Sequence, residues 1–294
     1  MYLLLMKMRI DMKQIYSSRY IRTAVIALMA AMMFIAPVHS FAGVFVSVAI
    51  APPVLPIYDQ PVCPGDGYIW TPGYWAYGDD GYYWVPGTWV MAPEVGFLWT
   101  PGYWGWGDGF YLWHAGYWGP HVGFYGGVNY GFGYFGVGFF GGRWDGGHFL
   151  YNTSFNPGIR GRGGFHTYAD RTGYAPRTSR VSFNGGRGGI QAQPRAEEAA
   201  AANDRHVDVT PEQSQHVQAA SQDRANFASQ NHGVPAHAAV SRPATTPDDF
   251  SHAAPARASS NMGSASHAAP GGGGGHASSG GGGHAGGGGS GQHH

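Results

Sequence analysis

Four times between residues 68 and 118 the chain places an aromatic residue, a tryptophan, a glycine and a second tryptophan at the same spacing. The copies read Tyr68-Ile69-Trp70-Thr71-Pro72-Gly73-Tyr74-Trp75, Tyr82-Tyr83-Trp84-Val85-Pro86-Gly87-Thr88-Trp89, Phe97-Leu98-Trp99-Thr100-Pro101-Gly102-Tyr103-Trp104 and Tyr111-Leu112-Trp113-His114-Ala115-Gly116-Tyr117-Trp118. Their first tryptophans are 14, 15 and 14 residues apart. Such a period marks one supersecondary unit used repeatedly, with each copy burying its apolar face against its neighbours.

Within a copy, Tyr68 and Trp70 alternate with the period of a strand, and Pro72-Gly73 fits the two central positions of a type II turn over residues 71–74, with glycine at the positive-φ site. If that turn closes a hairpin, Trp70 faces Trp75, and by the same rule Trp84 faces Trp89, Trp99 faces Trp104 and Trp113 faces Trp118. Type II turns splay two-residue hairpins, so the alternative is an open corner between two short strands. Gly78-Asp79-Asp80-Gly81, residues 92–96 and Gly107-Asp108-Gly109 separate the copies and have turn composition. The expected fold is mainly β: a small Trp-rich meander of about eight short strands, then one or two short helices, then a disordered Gly/Ala/His-rich tail. Aromatic pairs contribute about 0.5–1.5 kcal/mol each beyond the area they bury, a useful share of the stability of a small module.

With 50 Gly and 20 Pro, much of the chain is expected not to pack. Residues 1–42 read as a signal peptide, with Lys7, Arg9, Lys13, Arg19 and Arg22 ahead of an apolar run at 24–36 and small residues at Ser40 and Ala42. That run is too short to span a bilayer, and Met12 offers a second possible start. Residues 43–67 form a Pro-rich linker with a possible strand at 44–50. In residues 119–150 glycines alternate with aromatics. The alternation places Gly131 and Gly133 on one strand face, with a bulge or bend between two strands at Tyr134-Phe135. Residues 151–193 read as loose. The stretch 194–232 is helical: residues 195–202 favour helix, and Thr210-Pro211-Glu212-Gln213 is a capping box opening a helix to about residue 230, with a thinly apolar face that docks only weakly. Residues 233–294 read as a disordered tail.

Between Arg22 and Arg143 there is no Lys or Arg, only Asp59, Asp66, Asp79, Asp80, Glu94 and Asp108, so the aromatic region lacks the cations that nucleic-acid binding requires. No catalytic constellation, P-loop or dinucleotide fingerprint is present. Acids in Gly-rich turns read as turn formers, without calcium-loop spacing. Cys63, the single cysteine, reads as a lone, partly buried thiol. His114 and His121 flank the last copy without further ligands. Ten histidines lie from His206 onward, and those in the Gly-rich tail, including His267, His276, His284, His293 and His294, can chelate metals opportunistically. No dedicated metal or cofactor site is expected.

The W-x-x-G-x-W copies resemble the bacterial YXWGXW (WXXGXW) repeat family, and the Gly-aromatic segment ending at Arg143-Trp144 looks like the same kind of protein. Phe97 for Tyr and Ala115 for Pro are small departures. The resemblance implies an exported protein and supplies no catalytic residues. The resulting expectation is a non-catalytic structural or interaction protein of the periplasm, outer membrane or exterior, touching membrane only through an uncleaved signal segment. Its partner would be another envelope protein. The alternative is a carbohydrate- or peptidoglycan-binding module. Eight tryptophans at fixed spacing are most economically a core. Tyr74, Tyr103, Trp106 and Tyr117 are the residues that would form a ligand platform outside it.

Overall fold

The computed structural model describes residues 46–174 and 179–257. The signal segment expected at 1–42 and the tail from residue 258 onward lie outside the described residues.

The motifs fold in pairs. Strands β2 (Tyr68–Thr71), β3 (Tyr74–Gly78), β4 (Gly81–Val85) and β5 (Thr88–Met91) make one long antiparallel hairpin bent in the middle, with β3 on β4 and β2 on β5. Strands β6 (Leu98–Thr100), β7 (Tyr103–Gly107), β8 (Phe110–His114) and β9 (Tyr117–Gly119) repeat the arrangement, with β7 on β8 and β6 on β9. The reversals are the Gly/Asp clusters between motifs. Gly107 pairs with Phe110, leaving Asp108-Gly109 as a two-residue loop with φ of 53° and 87°. Positive φ at both positions matches the twist of the flanking strands, and Asp-Gly supplies it at low cost. The Pro-Gly dipeptides are the bends, as the open-corner alternative holds.

The tryptophan pairing expected within each motif is therefore corrected. Trp70 faces Trp89 and Trp75 faces Trp84; Trp99 faces Trp118 and Trp104 faces Trp113. Ring centroids in the four pairs lie 5.2–5.3 Å apart; the two pairs of the first hairpin meet edge-to-face, as aromatic quadrupoles favour, and the two of the second are tilted at 55°. The expected positive φ at the motif glycines is also absent: none of Gly73, Gly87, Gly102 and Gly116 has one. Glycine is required for room. A Cβ on Gly73 would sit 2.3 Å from the Trp84 ring and 2.8 Å from Gly87 N; one on Gly87 would sit 2.6 Å from the Trp70 ring and 2.9 Å from Gly73 N. Gly102 meets Trp113 and Gly116 meets Trp99 in the same reciprocal way, each at 2.5 Å. The spacing follows from this geometry. The tryptophan three before glycine covers the partner motif's glycine, and the tryptophan two after it pairs with that covering ring.

Each bend interrupts the ladder, and its backbone groups need other partners. Thr71 Oγ1 donates to Thr88 O at 2.9 Å, Tyr58 Oη accepts from Gly73 N, and the Tyr130 and Tyr134 hydroxyls donate to Gly102 O and Trp99 O at 2.6 and 2.9 Å. Trp104 Nε1 donates to Trp75 O at 2.7 Å and Tyr74 stacks on Trp113, joining the two hairpins. Seven motif tryptophans are buried, and Trp113 is half-buried.

The rest of the chain wraps this unit. Of the strand expected at 44–50, the described residues show β1 (Ser47–Val48), on the edge of β8. The Pro-rich segment after it is held by indole N–H groups, Trp75 Nε1 to Val54 O and Trp89 Nε1 to Pro61 O. Next, β10 (Asn129–Gly131) and β11 (Tyr134–Phe135) form a hairpin turning at Phe132-Gly133. The expected bend between two strands falls at Phe132-Gly133 rather than at Tyr134-Phe135, and the register shifts inside β10. The segment read as loose contains ordered structure. Strands β12 (Gly142–Asp145), β13 (His148–Asn152) and β14 (His166–Tyr168) form a sheet, β15 (Phe183–Asn184) pairs parallel with β7, and Asn152, Asn156 and Ile159 are buried. Buried amides supply the order that apolar periodicity did not show: Asn156 Nδ2 donates to Gly141 O and Asn152 O.

Helices form at Ala196–Ala201, Pro211–Gln222 and Ala228–Asn231. The second ends at residue 222 rather than near 230, because Asp223 is extended and its carboxylate caps a new turn through Ala225 N. Residues 233–257 depart from the expected disorder. Ala238, Ala239, Val240 and Phe250 are buried, and the strand-like contact of Ala239 with Gly87 covers the first hairpin's bend. No helix among the described residues is long and apolar enough to cross a membrane.

Candidate functional site

Of the twelve repeat residues singled out from the sequence, ten are buried and two, Trp113 and Gly116, are half-buried. The four proposed platform residues separate. Tyr74 is packed between the hairpins against Trp113. Trp106, 41% exposed, lies at the far end of β7 against Tyr111 and Gly186. Tyr103 and Tyr117 come together in one open groove of about 610 Å³, lined also by Trp113, His114, Phe124 and Glu198.

This groove exists because the second hairpin is not covered as the first one is. At the first hairpin's bend, His216 Nε2 donates to Pro86 O, and Ala238 O accepts from both Gly87 N and Trp84 Nε1. The equivalent positions of the second hairpin are His114 and Ala115, where the fourth motif departs from the other three, and both are exposed. Trp113, the counterpart of the fully buried Trp84, is left half-open.

The walls are aromatic. Tyr103 stacks on His114 with centroids 4.5 Å apart at 7°, and Phe124 meets Tyr103 edge-on. Tyr117 stacks on His206 at 3.9 Å. Burial raises both tyrosine hydroxyls above their ordinary pKa, which keeps them neutral hydrogen-bonding groups. Glu198 is the one carboxylate of the lining, and it is committed: Oε2 accepts from Arg195 N at 2.9 Å and Oε1 from Gly138 N at 3.4 Å. The arrangement suits stacking of a planar or ring-shaped neutral ligand, with hydroxyl and imidazole edges for orientation.

Sequence reasoning found Tyr103 and Tyr117 and missed Phe124 and Glu198, which come from other segments. The readable signal was the departure at His114-Ala115. Asp79, Asp80 and Asp108 sit in exposed turns. His121 pairs with Asp204 at 2.8 Å. Cys63 is buried, its thiol pushed up to about 11 chiefly by that burial, and Sγ donates to Gly65 O. One group among the described residues has the ligand types and spacing to hold a metal ion: Asp66, His148 and His166.

The WXXGXW repeat family matches the chain in two copies, at residues 65–90 and 95–118. Each copy spans one bent hairpin, so the unit that recurs in the family is the pair of motifs that the structure shows folding together. No curated protein and no solved structure matches the chain.

Proposed function

Because residues 65–118 are two WXXGXW repeats, we propose that the protein is an exported, non-catalytic structural or interaction protein of the bacterial envelope, in which the repeats form the scaffold. The observation that carries this reading is the fate of the tryptophans: seven of the eight are buried in reciprocal pairs and leave little indole surface for chemistry. The export half of the proposal rests on the basic, apolar and small-residue order of residues 1–42. Mass spectrometry of the protein from fractionated cells tests it. A mature chain beginning at residue 43 in the envelope or medium supports the reading; an intact chain in the cytoplasm overturns it.

A second reading is favoured by the groove, namely glycan binding through Tyr103, Trp113 and Tyr117. A cleft walled by aromatic faces, free of cations and with its one carboxylate engaged, matches the face of a neutral sugar better than an ionic ligand. Titration of the protein with soluble peptidoglycan fragments and neutral polysaccharides, followed by calorimetry, tests this. Saturable binding that Tyr103→Ala weakens at least tenfold supports a glycan site. Binding that ignores Tyr103→Ala, or no binding, leaves the groove to a protein partner.

A further inference from the structure

We propose that Asp66, His148 and His166 form a binding site for a single divalent transition-metal ion of the Zn²⁺ class, independent of the aromatic groove. The three side chains come from three separate segments: the loop leading into the first hairpin, the start of β13, and the start of β14. Their ligand atoms all lie within 4.8 Å of one another, and Asp66 Oδ2 is 3.4 Å from His166 Nδ1. Zinc bonds of about 2.0–2.2 Å in tetrahedral geometry place neighbouring ligand atoms roughly 3.3–3.5 Å apart. One edge of the site is thus already at that length. All three side chains are exposed, so small rotations close the others.

The fold brings these residues together through backbone pairing and core contacts rather than through the three side chains. Parallel pairing of β13 with β14 sets Leu150 opposite His166, and His148, two residues before Leu150, projects from the same face. The two imidazoles consequently lie 4.4 Å apart at 34°. The loop carrying Asp66 is clamped on both sides of that residue: the Tyr151 hydroxyl donates to Tyr68 O at 2.9 Å and lies 3.2 Å from Gly65 O, while Cys63 Sγ donates to Gly65 O. Tyr151 is fully buried, so the clamp is anchored in the core.

Two neutral imidazoles and a carboxylate form the borderline donor set that suits Zn²⁺, Cu²⁺ or Ni²⁺, with a fourth position open to water. A bound ion would tie the loop, the β12–β13 hairpin and β14 into one unit. A simple His166–Asp66 ion pair would use only two of the three side chains.

The test uses the full chain and Zn²⁺ or Co²⁺ alone. The tail histidines also take metal, so one variant replaces His267, His276, His284, His293 and His294 with Gln. A second adds His148→Gln and His166→Gln to those changes. In calorimetry and Co²⁺ absorption, the first variant is expected to keep one tight ion and its visible bands. The second is expected to lose both, with affinity falling at least a hundredfold and metal-free thermal unfolding unmoved. Asp66→Asn in the first variant should weaken binding at least tenfold. Equal stoichiometry and affinity in the two variants, or loss of all tight binding with the tail substitutions alone, would overturn the proposal.

Discussion

An alanine at Gly87 would place a methyl 2.6 Å from the Trp70 ring and 2.9 Å from Gly73 N, with backbone on one side and a buried indole on the other. Neither neighbour yields easily, and overpacking of this kind costs about 1–3 kcal/mol or more. Chemical denaturation should show that loss for Gly87→Ala. Gly158→Ala, where a Cβ meets nothing within 4 Å, should stay within about 0.5 kcal/mol of the parent. The indole N–H groups separate in the same manner. Trp84 Nε1 donates to Ala238 O at 3.0 Å, whereas buried Trp70 Nε1 has no partner among the described residues. Trp84→Phe removes one of the two hydrogen bonds that Ala238 O accepts, leaving the one from Gly87 N, and Trp70→Phe removes an unpaired donor. The first should therefore cost about 0.5–1.5 kcal/mol more than the second in the same denaturation assay. At this scale the sequence showed that glycine and tryptophan were obligatory but misassigned the reason for glycine. Positive φ is a property of a single residue, whereas the real constraint is a contact with a motif 14 residues away.

Among the elements, the helix Pro211–Gln222 shows how a weakly amphipathic segment docks. Its capping box was legible: Thr210 Oγ1 accepts from Gln213 N, and Gln213 Oε1 accepts from Thr210 N. The same Oε1 also accepts from Trp118 Nε1, so the cap ties the helix to the second hairpin. Counting apolar residues missed this, because the buried face is Gln213, His216, Ala219 and Ala220, two polar side chains with exact partners and two small ones. His216 donates from Nε2 to Pro86 O and accepts at Nδ1 from Ala244 N, a geometry that requires the neutral ring, and burial lowers its pKa to about 4. Between its ordinary value near 6.5 and about 4 the unfolded chain binds a proton that the folded chain does not. Stability should accordingly fall as pH drops through that window, by roughly 3 kcal/mol in full from this group. Unfolding free energies measured from pH 7 to pH 4 should show this slope, and it should be much reduced in His216→Gln.

For the whole molecule, the repeats were readable as a β unit because their period lies in local sequence. The packing of the segments around them was not, since it depends on side-chain-to-backbone hydrogen bonds over long separations. Residues 233–257 illustrate this. Their Ala, Pro and Ser composition suggested disorder, yet Ala238 O serves the first hairpin's bend and Phe250 is completely buried. Ending the chain at residue 233 should lower the melting temperature clearly relative to ending it at residue 257, as calorimetry would record. The groove was half legible: two of its tyrosines and the irregular fourth motif stood out, while Phe124 and Glu198 arrive by tertiary folding. The central claim is that the motif tryptophans are a buried scaffold, and acrylamide quenching of the full chain's tryptophan emission tests it most directly. The structure predicts blue-shifted emission with a dominant shielded fraction, a minor accessible one from Trp106, Trp113 and Trp144, and a shielded fraction that glycans leave unchanged. Red-shifted emission with most indoles uniformly quenched would contradict it.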